Sequence, residues 1–80
     1  MFASEEIQRL IEHGLPGAHV AVRGDGEHFE ALVVTAAFEG KNRVQRHQMV
    51  YATLGHRMGN EIHALSLKTL TPNESPTATS

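Results

Sequence analysis

The feature that most constrains the fold is the stretch of residues 38–54, which reads FEGKNRVQRHQMVYATL. A glycine turn comes first, basic residues follow, and an apolar periodicity begins among them. Steps of three and four residues give a helix a single apolar stripe. The members of this stripe are Val44, His47, Tyr51, Leu54 and Met58. The stretch therefore predicts a basic loop and then an amphipathic helix from about residue 44, with the stripe facing the core.

The composition limits what the rest of the chain can do. The 80 residues allow one small domain with a thin core, and they include no cysteine that could form a disulfide. Any metal ligand must therefore be an imidazole or a carboxylate. Nine acidic residues nearly balance seven basic ones, so there is no bulk attraction to nucleic acid or membrane. Because neither a signal peptide nor an apolar span is evident, we expect a cytoplasmic protein without membrane contact.

Four further segments complete the predicted order α-β-β-α-β. Residues 4–13 have the periodicity of a short helix, and we expect Gly14 to end it in a left-handed conformation. Residues 19–24 alternate between apolar and polar side chains, and residues 28–35 are rich in β-branched side chains. The glycines and the aspartate between these two segments predict a hairpin. Residues 62–70 alternate again and predict the third strand.

The order of the elements predicts the topology. A helix between the second and third strands makes a β-α-β unit, which favours parallel pairing. The sequence thus predicts an α+β fold in which two helices cover one face of a three-stranded mixed sheet. We assign residues 1–72 to this domain. Residues 73–80 are small, polar and proline-containing, so we expect a disordered tail there.

Three segments together resemble the BolA family: GDGEHFEALVV, FEGKNRVQRHQMVY and NEIHALSLKTLTP. The combination of F-x-G-x-x-x-V-x-R-H-x-x-V-Y with a later I-H-A-L-S is specific, and the similarity extends from the first helix to Pro72. The resemblance implies a fold similar to a class II KH domain, which agrees with the α-β-β-α-β order. It also implies complexes with monothiol glutaredoxins in iron–sulfur cluster assembly, trafficking or iron sensing. Several members are transcriptional regulators.

The resemblance implies metal ligands at two histidines. The family's late histidine corresponds to His63, and its ligand in the first hairpin loop corresponds to His28 or a neighbouring residue. If the second and third strands pair in parallel, both positions lie at one sheet edge, where adjacent strands are about 4.8 Å apart. Two imidazoles leave a tetrahedral site incomplete. We therefore expect a two-iron cluster that is shared with a monothiol glutaredoxin and is not held by the chain alone.

The basic loop, residues 40–47, supports an alternative function as a KH-like, nucleic-acid-binding transcriptional regulator. The residues expected to contact DNA are Lys41, Arg43, Arg46 and His47. The loop has the first glycine of a GXXG backbone clamp but not the second, and Gln48 departs from the family's R-H-R signature. The loop can also be a solvated connection, with His47 serving packing or a hydrogen bond.

A third hypothesis is an interaction domain that binds a protein through the open sheet face without a metal. We expect no catalysis, because no nucleophile–base pair, carboxylate pair or glycine-rich phosphate loop is evident in the sequence. We expect the free chain to be a monomer or a weak homodimer.

Overall fold

The structure, a computed structural model, describes residues 3–25, 27–60 and 62–74. Its helices and strands are α1 (Ser4–Gly14), β1 (His19–Gly24), β2 (His28–Val34), α2 (Arg43–Leu54) and β3 (Ala64–Leu70). Short 3-10 turns, Ala36–Phe38 and Gly55–Arg57, precede and follow α2. This order confirms the prediction. Within the described residues, neither helix combines the length and the apolar character that crossing a membrane requires.

The central strand of the sheet is β2. It pairs antiparallel with β1 on one side and parallel with β3 on the other. The parallel register places His28 beside Ala64 and Val34 beside Leu70. The mixed sheet predicted from the β-α-β unit is therefore confirmed, and the N-terminal ends of β2 and β3 share one edge.

The core lies between the sheet and the two helices. Alternation along β2 directs Phe29, Ala31 and Val33 inward, where all three are buried. The other buried members of the core are Ile7, Ile11, Phe38, Val50, Leu54 and Ile62. Alternate residues of β1 and β3 pack against this cluster from either side of β2. Both helices thus cover one face of the sheet, as predicted, and the described residues leave the opposite face open.

The buried stripe of α2 differs from the predicted one. Val50 and Leu54 are fully buried, whereas Val44 is 64 % exposed and Tyr51 is 36 % exposed. Apolar residues occupy two adjoining sides of this helix, and periodicity alone does not determine which side meets the sheet. Packing selects the side of Val50, so only Leu54 belongs to both the predicted and the observed buried set.

The glycine at the end of α1 serves close packing rather than a left-handed turn. Gly14 is still helical, and a methyl group on it would lie 2.7 Å from Cβ of Thr53 on α2. The expected left-handed conformation occurs at Gly17, with φ of 87°. Two helices can approach this closely only where one of them lacks a side chain.

The domain continues past its predicted boundary at residue 72. The backbone N–H of Glu74 donates to the carbonyl oxygen of Thr71 at 3.0 Å. In return, the Glu74 carboxylate accepts a hydrogen bond of 2.8 Å from the backbone N–H of Thr71. The prediction that the tail begins at residue 73 is therefore wrong for Glu74. Residues 75–80 lie outside the described residues.

Candidate functional site

The turn between β1 and β2 is organised by Asp25. Its Oδ1 accepts hydrogen bonds from the backbone N–H groups of His28 and Glu27, each at 2.9 Å. The backbone N–H of Asp25 donates to the carbonyl oxygen of His28 at 3.2 Å. The bond from His28, followed by that from Glu27, holds the pKa of the Asp25 carboxyl below its ordinary value. The backbone of His28 is thus held at both its N–H and its carbonyl, while its side chain is exposed.

Gly24 allows the hairpin to close. A methyl group there would clash with the carbonyl oxygen of His28 and lie 2.5 Å from Cδ1 of Phe29. Phe29 is part of the core and cannot easily move away. The position before Asp25 therefore requires a residue without a side chain.

The other candidate ligand, His63, follows a buried residue and precedes β3. The backbone N–H of Ile62 donates to the carbonyl oxygen of Arg57 at 2.9 Å, and its carbonyl accepts from Gly59 at 2.8 Å. Ile62 is fully buried and Leu65 packs on the core, so two residues separate these inward positions. Strict strand alternation would allow only one. This break in the alternation leaves His63 exposed.

The parallel register brings the two histidines to one edge of the sheet. His28 pairs with Ala64, the residue directly after His63. In the described part of the chain, neither imidazole takes part in a side-chain hydrogen bond or an ion pair. We call His28 and His63 the histidine edge. Among residues 3–25, 27–60 and 62–74, no group of three or more potential ligands could hold a metal. A tetrahedral site has four positions, so two imidazoles alone would leave it half complete.

Arg46 organises the opposite end of the sheet. Its Nε donates to the carbonyl oxygen of Lys41 at 2.9 Å, and its Nη1 donates to that of Thr69 at 3.3 Å. Nη1 also donates to Oε1 of Glu74 at 2.8 Å, and the guanidinium lies 5.8 Å from the ring centroid of Phe38. The side chain is only 14 % exposed. Arg46 is one of the predicted DNA contacts. Its hydrogen-bonding groups are instead used to hold together the basic loop at Lys41, the end of β3 at Thr69 and the turn at Glu74.

The carboxylate that receives Arg46 is strongly stabilised in its charged form. The hydrogen bond from Arg46, followed by that from the backbone of Thr71, lowers the pKa of Glu74 from 4.5 to about 2. Because 47 % of the Glu74 side chain is exposed, water screens part of this interaction.

The remaining residues of the basic loop differ in exposure. Lys41 and Arg43 are exposed, but His47 is half-buried. The Nε2 atom of His47 is buried and has no hydrogen-bond partner among the described residues. Its ring meets that of Tyr51 edge-on, with centroids 6.4 Å apart and planes at 82°. This contact matches the packing role considered for His47 rather than a contact with DNA.

The residues that hold the two ends of the sheet in place were not predicted from the sequence. Asn42 and Gln45 form a capping box in which each side-chain oxygen accepts the other residue's backbone N–H. Their N-x-x-Q spacing before an apolar run is a recognisable signal. The sequence around Asp25 predicts only a hairpin, although aspartate commonly accepts backbone N–H groups in turns. Glu74 gave no local signal, because its partner Arg46 lies 28 residues away.

Comparison with known proteins gives consistent matches. The sequence model of the BolA-like protein family matches residues 9–74. The acid stress protein IbaG of Escherichia coli K12 is 40% identical over 72 residues, which are 89% of this chain and 86% of that protein. The structure of a bolA protein homologue from Coxiella burnetii has a TM-score of 0.84 and 48% identity, covering 92% of this chain and 96% of that one.

The name of a further relative refers to DNA binding. The DNA-binding transcriptional regulator BolA of Haemophilus influenzae is 41% identical over 56 residues. The match covers 70% of this chain and 54% of that protein.

Proposed function

This chain belongs to the BolA-like protein family, and on that premise we propose that it is a non-catalytic cytoplasmic adaptor. It forms a complex with a monothiol glutaredoxin and shares a two-iron iron–sulfur cluster with it, in cluster assembly, trafficking or iron sensing. The observation that carries the proposal is the exposure of two uncommitted imidazoles, His28 and His63, at one sheet edge.

The ligand chemistry favours a cluster that two proteins share. The chain has no cysteine, so it cannot use the four thiolates that usually hold such a cluster. Imidazole nitrogens of His28 and His63 fill two of four positions. A glutaredoxin thiolate and the thiolate of its bound glutathione fill the other two. When bound, a cluster with two histidine ligands has a higher reduction potential than one with thiolates alone.

Hydrogen bonds hold the backbone at both proposed ligands. Asp25 holds the backbone at His28, and the backbone bonds of Ile62 hold the segment before His63. Little ordering of the main chain is then needed when the partner binds. Both imidazoles must be neutral to bind metal, so protons compete with iron and the shared cluster is expected to be acid-labile.

The proposal is tested by assembling the cluster in the complex and recording its absorption and circular dichroism. His63→Ala is expected to abolish the spectrum that distinguishes the complex from the glutaredoxin homodimer, and His28→Ala to weaken or shift it. His13→Ala is the matched control, because it removes an exposed imidazole from α1. An unaltered spectrum in a folded His63→Ala complex would rule out the assignment.

A nucleic-acid-binding regulator is the second candidate. The exposure of Lys41 and Arg43 favours it, as does the DNA-binding name of the Haemophilus influenzae relative. The commitment of Arg46 to the fold weakens it. If both exposed cations contact phosphates, replacing them with alanine flattens the dependence of DNA affinity on salt by up to about two units. DNA binding that is weak and insensitive to this replacement would eliminate the candidate.

A further inference from the structure

A cleft lies beside one of the two proposed ligands, on the open face of the sheet. The residues that line it are Arg23, Gly24, Asp25, His28 and Glu30. His28 and Glu30 are two residues apart on β2, so both side chains point to the face opposite the core residue Phe29. The cleft has a volume of ≈ 410 Å³, which suits a small molecule such as a short peptide.

The cleft contains a cross-strand ion pair with unused hydrogen-bonding groups. Arg23 lies opposite Glu30 in the register of β1 and β2, and its Nε donates to Oε1 of Glu30 at 2.7 Å. Among the described residues, nothing accepts from the two Nη groups of Arg23 and nothing donates to Oε2 of Glu30. Both side chains are exposed, so water does not have to leave a closed site before a ligand binds. A guanidinium with two available donors therefore lies beside a carboxylate with an available acceptor.

The charges of the cleft determine which ligand it can bind. Asp25 adds a second carboxylate to the lining, so two negative charges accompany the positive charge of Arg23. A lone carboxylate would be attracted by Arg23 but repelled by both acids, and a lone ammonium would be repelled by Arg23. An ammonium and a carboxylate side by side match both signs, and guanidinium and carboxylate form a strong two-bond pair. The α-amino acid group has this arrangement.

We infer that this cleft binds the γ-glutamyl end of glutathione, which carries the free α-amino acid group of the tripeptide. The two Nη groups of Arg23 donate to its carboxylate, and Oε2 of Glu30 accepts from its ammonium. The inference rests on the proposed function, because there the glutathione thiolate and His28 bind the same cluster. Glu30 is about 7 Å along β2 from His28. The thiol and the γ-glutamyl α-carbon can be roughly 8 Å apart in an extended chain, so the tripeptide can span this distance.

A bound γ-glutamyl group makes the chain selective for the thiol that joins the cluster. A small thiol without that group, such as 2-mercaptoethanol, supplies the sulfur but makes no contact with Arg23 and Glu30. The two imidazoles alone cannot discriminate in this way, because they bind metal whichever thiol completes the site. The cleft thus adds specificity for glutathione to the ligands of the histidine edge.

The first test uses the iron-free full chain and therefore does not depend on the cluster. Reduced glutathione is titrated into isotope-labelled chain, and nuclear magnetic resonance follows the backbone amide signals. Saturable shifts are expected at the residues that line the cleft. Arg23→Gln is expected to weaken binding about fivefold or more, since it removes a charge-assisted contact. The Arg23–Glu30 pair is exposed, so its loss has little effect on folding.

The matched control for this variant is Lys68→Gln. It removes an exposed cation that lies on the open sheet face but does not line the cleft. It is expected to leave the affinity for glutathione within about twofold of wild type. Equal weakening by Arg23→Gln and Lys68→Gln would reduce the effect to net charge and overturn the inference.

Modified glutathiones identify which end of the tripeptide is bound. N-acetylglutathione lacks the ammonium and is expected to bind about fivefold or more weakly than glutathione. The ethyl ester of the glycine carboxyl retains the γ-glutamyl group and is expected to bind like glutathione. Glu30→Gln is expected to weaken glutathione but to weaken N-acetylglutathione no further, because Glu30 contacts the missing ammonium. Weakening by the ester and not by the acetyl group would place the glycine end in the cleft and overturn the inference.

Free glutamate carries the same α-amino acid group, and the complex with glutaredoxin separates the two sources. Circular dichroism measures the glutathione concentration at which half of the shared cluster forms. Arg23→Gln is expected to raise this concentration about fivefold, and Lys68→Gln to leave it unchanged. Equal binding of glutamate and glutathione by the iron-free chain, with the same glutathione requirement in wild type and Arg23→Gln, would assign the cleft to a free amino acid and overturn the inference.

The absence of saturable shifts with glutathione overturns the inference as well. The glutathione cleft and the ligand assignment can fail separately. If His63→Ala leaves the cluster spectrum unaltered while Arg23→Gln still weakens binding of glutathione to the iron-free chain, the ligands are wrong and the cleft stands. If His63→Ala abolishes the spectrum while glutathione does not bind the iron-free chain, the cleft is wrong and the ligands stand.

Discussion

The two ends of the β2–β3 strand pair are held in opposite ways. Where the strands finish, the side chain of Arg46 binds the carbonyls of Lys41 and Thr69 and the carboxylate of Glu74. Where they begin, backbone groups and the turn at Asp25 hold the chain, and the histidine edge remains exposed. Charge or ligand chemistry alone therefore does not identify a functional residue. A side chain is available for function only where the fold does not already use its hydrogen-bonding or charged groups.

The largest effect is expected at the end held by side chains. Arg46→Ala removes the charge-assisted hydrogen bonds to the carbonyl oxygens of Lys41 and Thr69 and the contact with the Phe38 ring, and is expected to lower the free energy of unfolding by roughly 2–4 kcal/mol. His63→Ala removes an exposed side chain and is expected to change it by less than about 0.5 kcal/mol. Urea denaturation of both variants measures the difference. Equal losses would mean that the two ends do not differ in this way.

A second prediction concerns the backbone at the histidine edge. Gly24→Ala forces a methyl group against the His28 carbonyl and the ring of Phe29. The strain is expected to lower the free energy of unfolding by about 1–3 kcal/mol, measured by the same denaturation. The variant should also disturb the shared-cluster spectrum, because the clash involves the backbone of a proposed ligand. A Gly24→Ala protein of wild-type stability would show that this close approach does not constrain the hairpin.

The third prediction tests whether the hydrogen bonds of Asp25 position His28, while the His28 side chain itself is kept. Asp25→Ala removes the oxygen that accepts the His28 and Glu27 N–H groups, whereas Asp25→Asn retains such an oxygen. Asp25→Ala is expected to reduce the part of the cluster spectrum that depends on His28, and Asn to restore most of it. A wild-type spectrum in Asp25→Ala would show that the turn does not position the ligand.

The smallest effect is expected in the pH dependence of the end held by Arg46. The pKa of Glu74 in the folded chain is lowered from 4.5 to about 2, so its stabilising contribution is complete above 4.5 and is lost as the pH falls toward 2. Glu74→Gln lacks this contribution. The difference in melting temperature between wild type and Glu74→Gln should therefore be constant above 4.5 and shrink below it. A difference in melting temperature that stays unchanged in acid would show that the Arg46–Glu74 ion pair does not stabilise the fold.

Most of the fold could be predicted because its signals are local. Alternation identified the strands, and the helix between β2 and β3 implied the parallel pairing that joins His28 to the edge of His63. The side of α2 that meets the sheet could not be predicted from periodicity, since Val50 and Tyr51 are adjacent and either side chain can pack against a core. The role of Gly14 depended on Thr53, a residue of the other helix.

The candidate site was predictable in position but not in detail. Topology and the family resemblance predicted that His28 and His63 lie at one edge of the sheet. The exposure of His63, however, depends on the break in alternation after Ile62, which follows from core packing. At the opposite end, Arg46 resembled its basic neighbours in the sequence, and only its distant partner Glu74 sets it apart. Long-range pairing of this kind leaves no local pattern.

The central claim is that this chain ligates the shared cluster through two imidazole nitrogens. Pulsed electron paramagnetic resonance of the reduced complex tests it most directly, using chain labelled with a heavy nitrogen isotope in histidine only and unlabelled glutaredoxin. Ligation by His28 and His63 predicts strong coupling to two labelled nitrogens, with one signal lost in His28→Ala and none lost in His13→Ala. A cluster bound in the complex without any coupling to labelled nitrogen would contradict it.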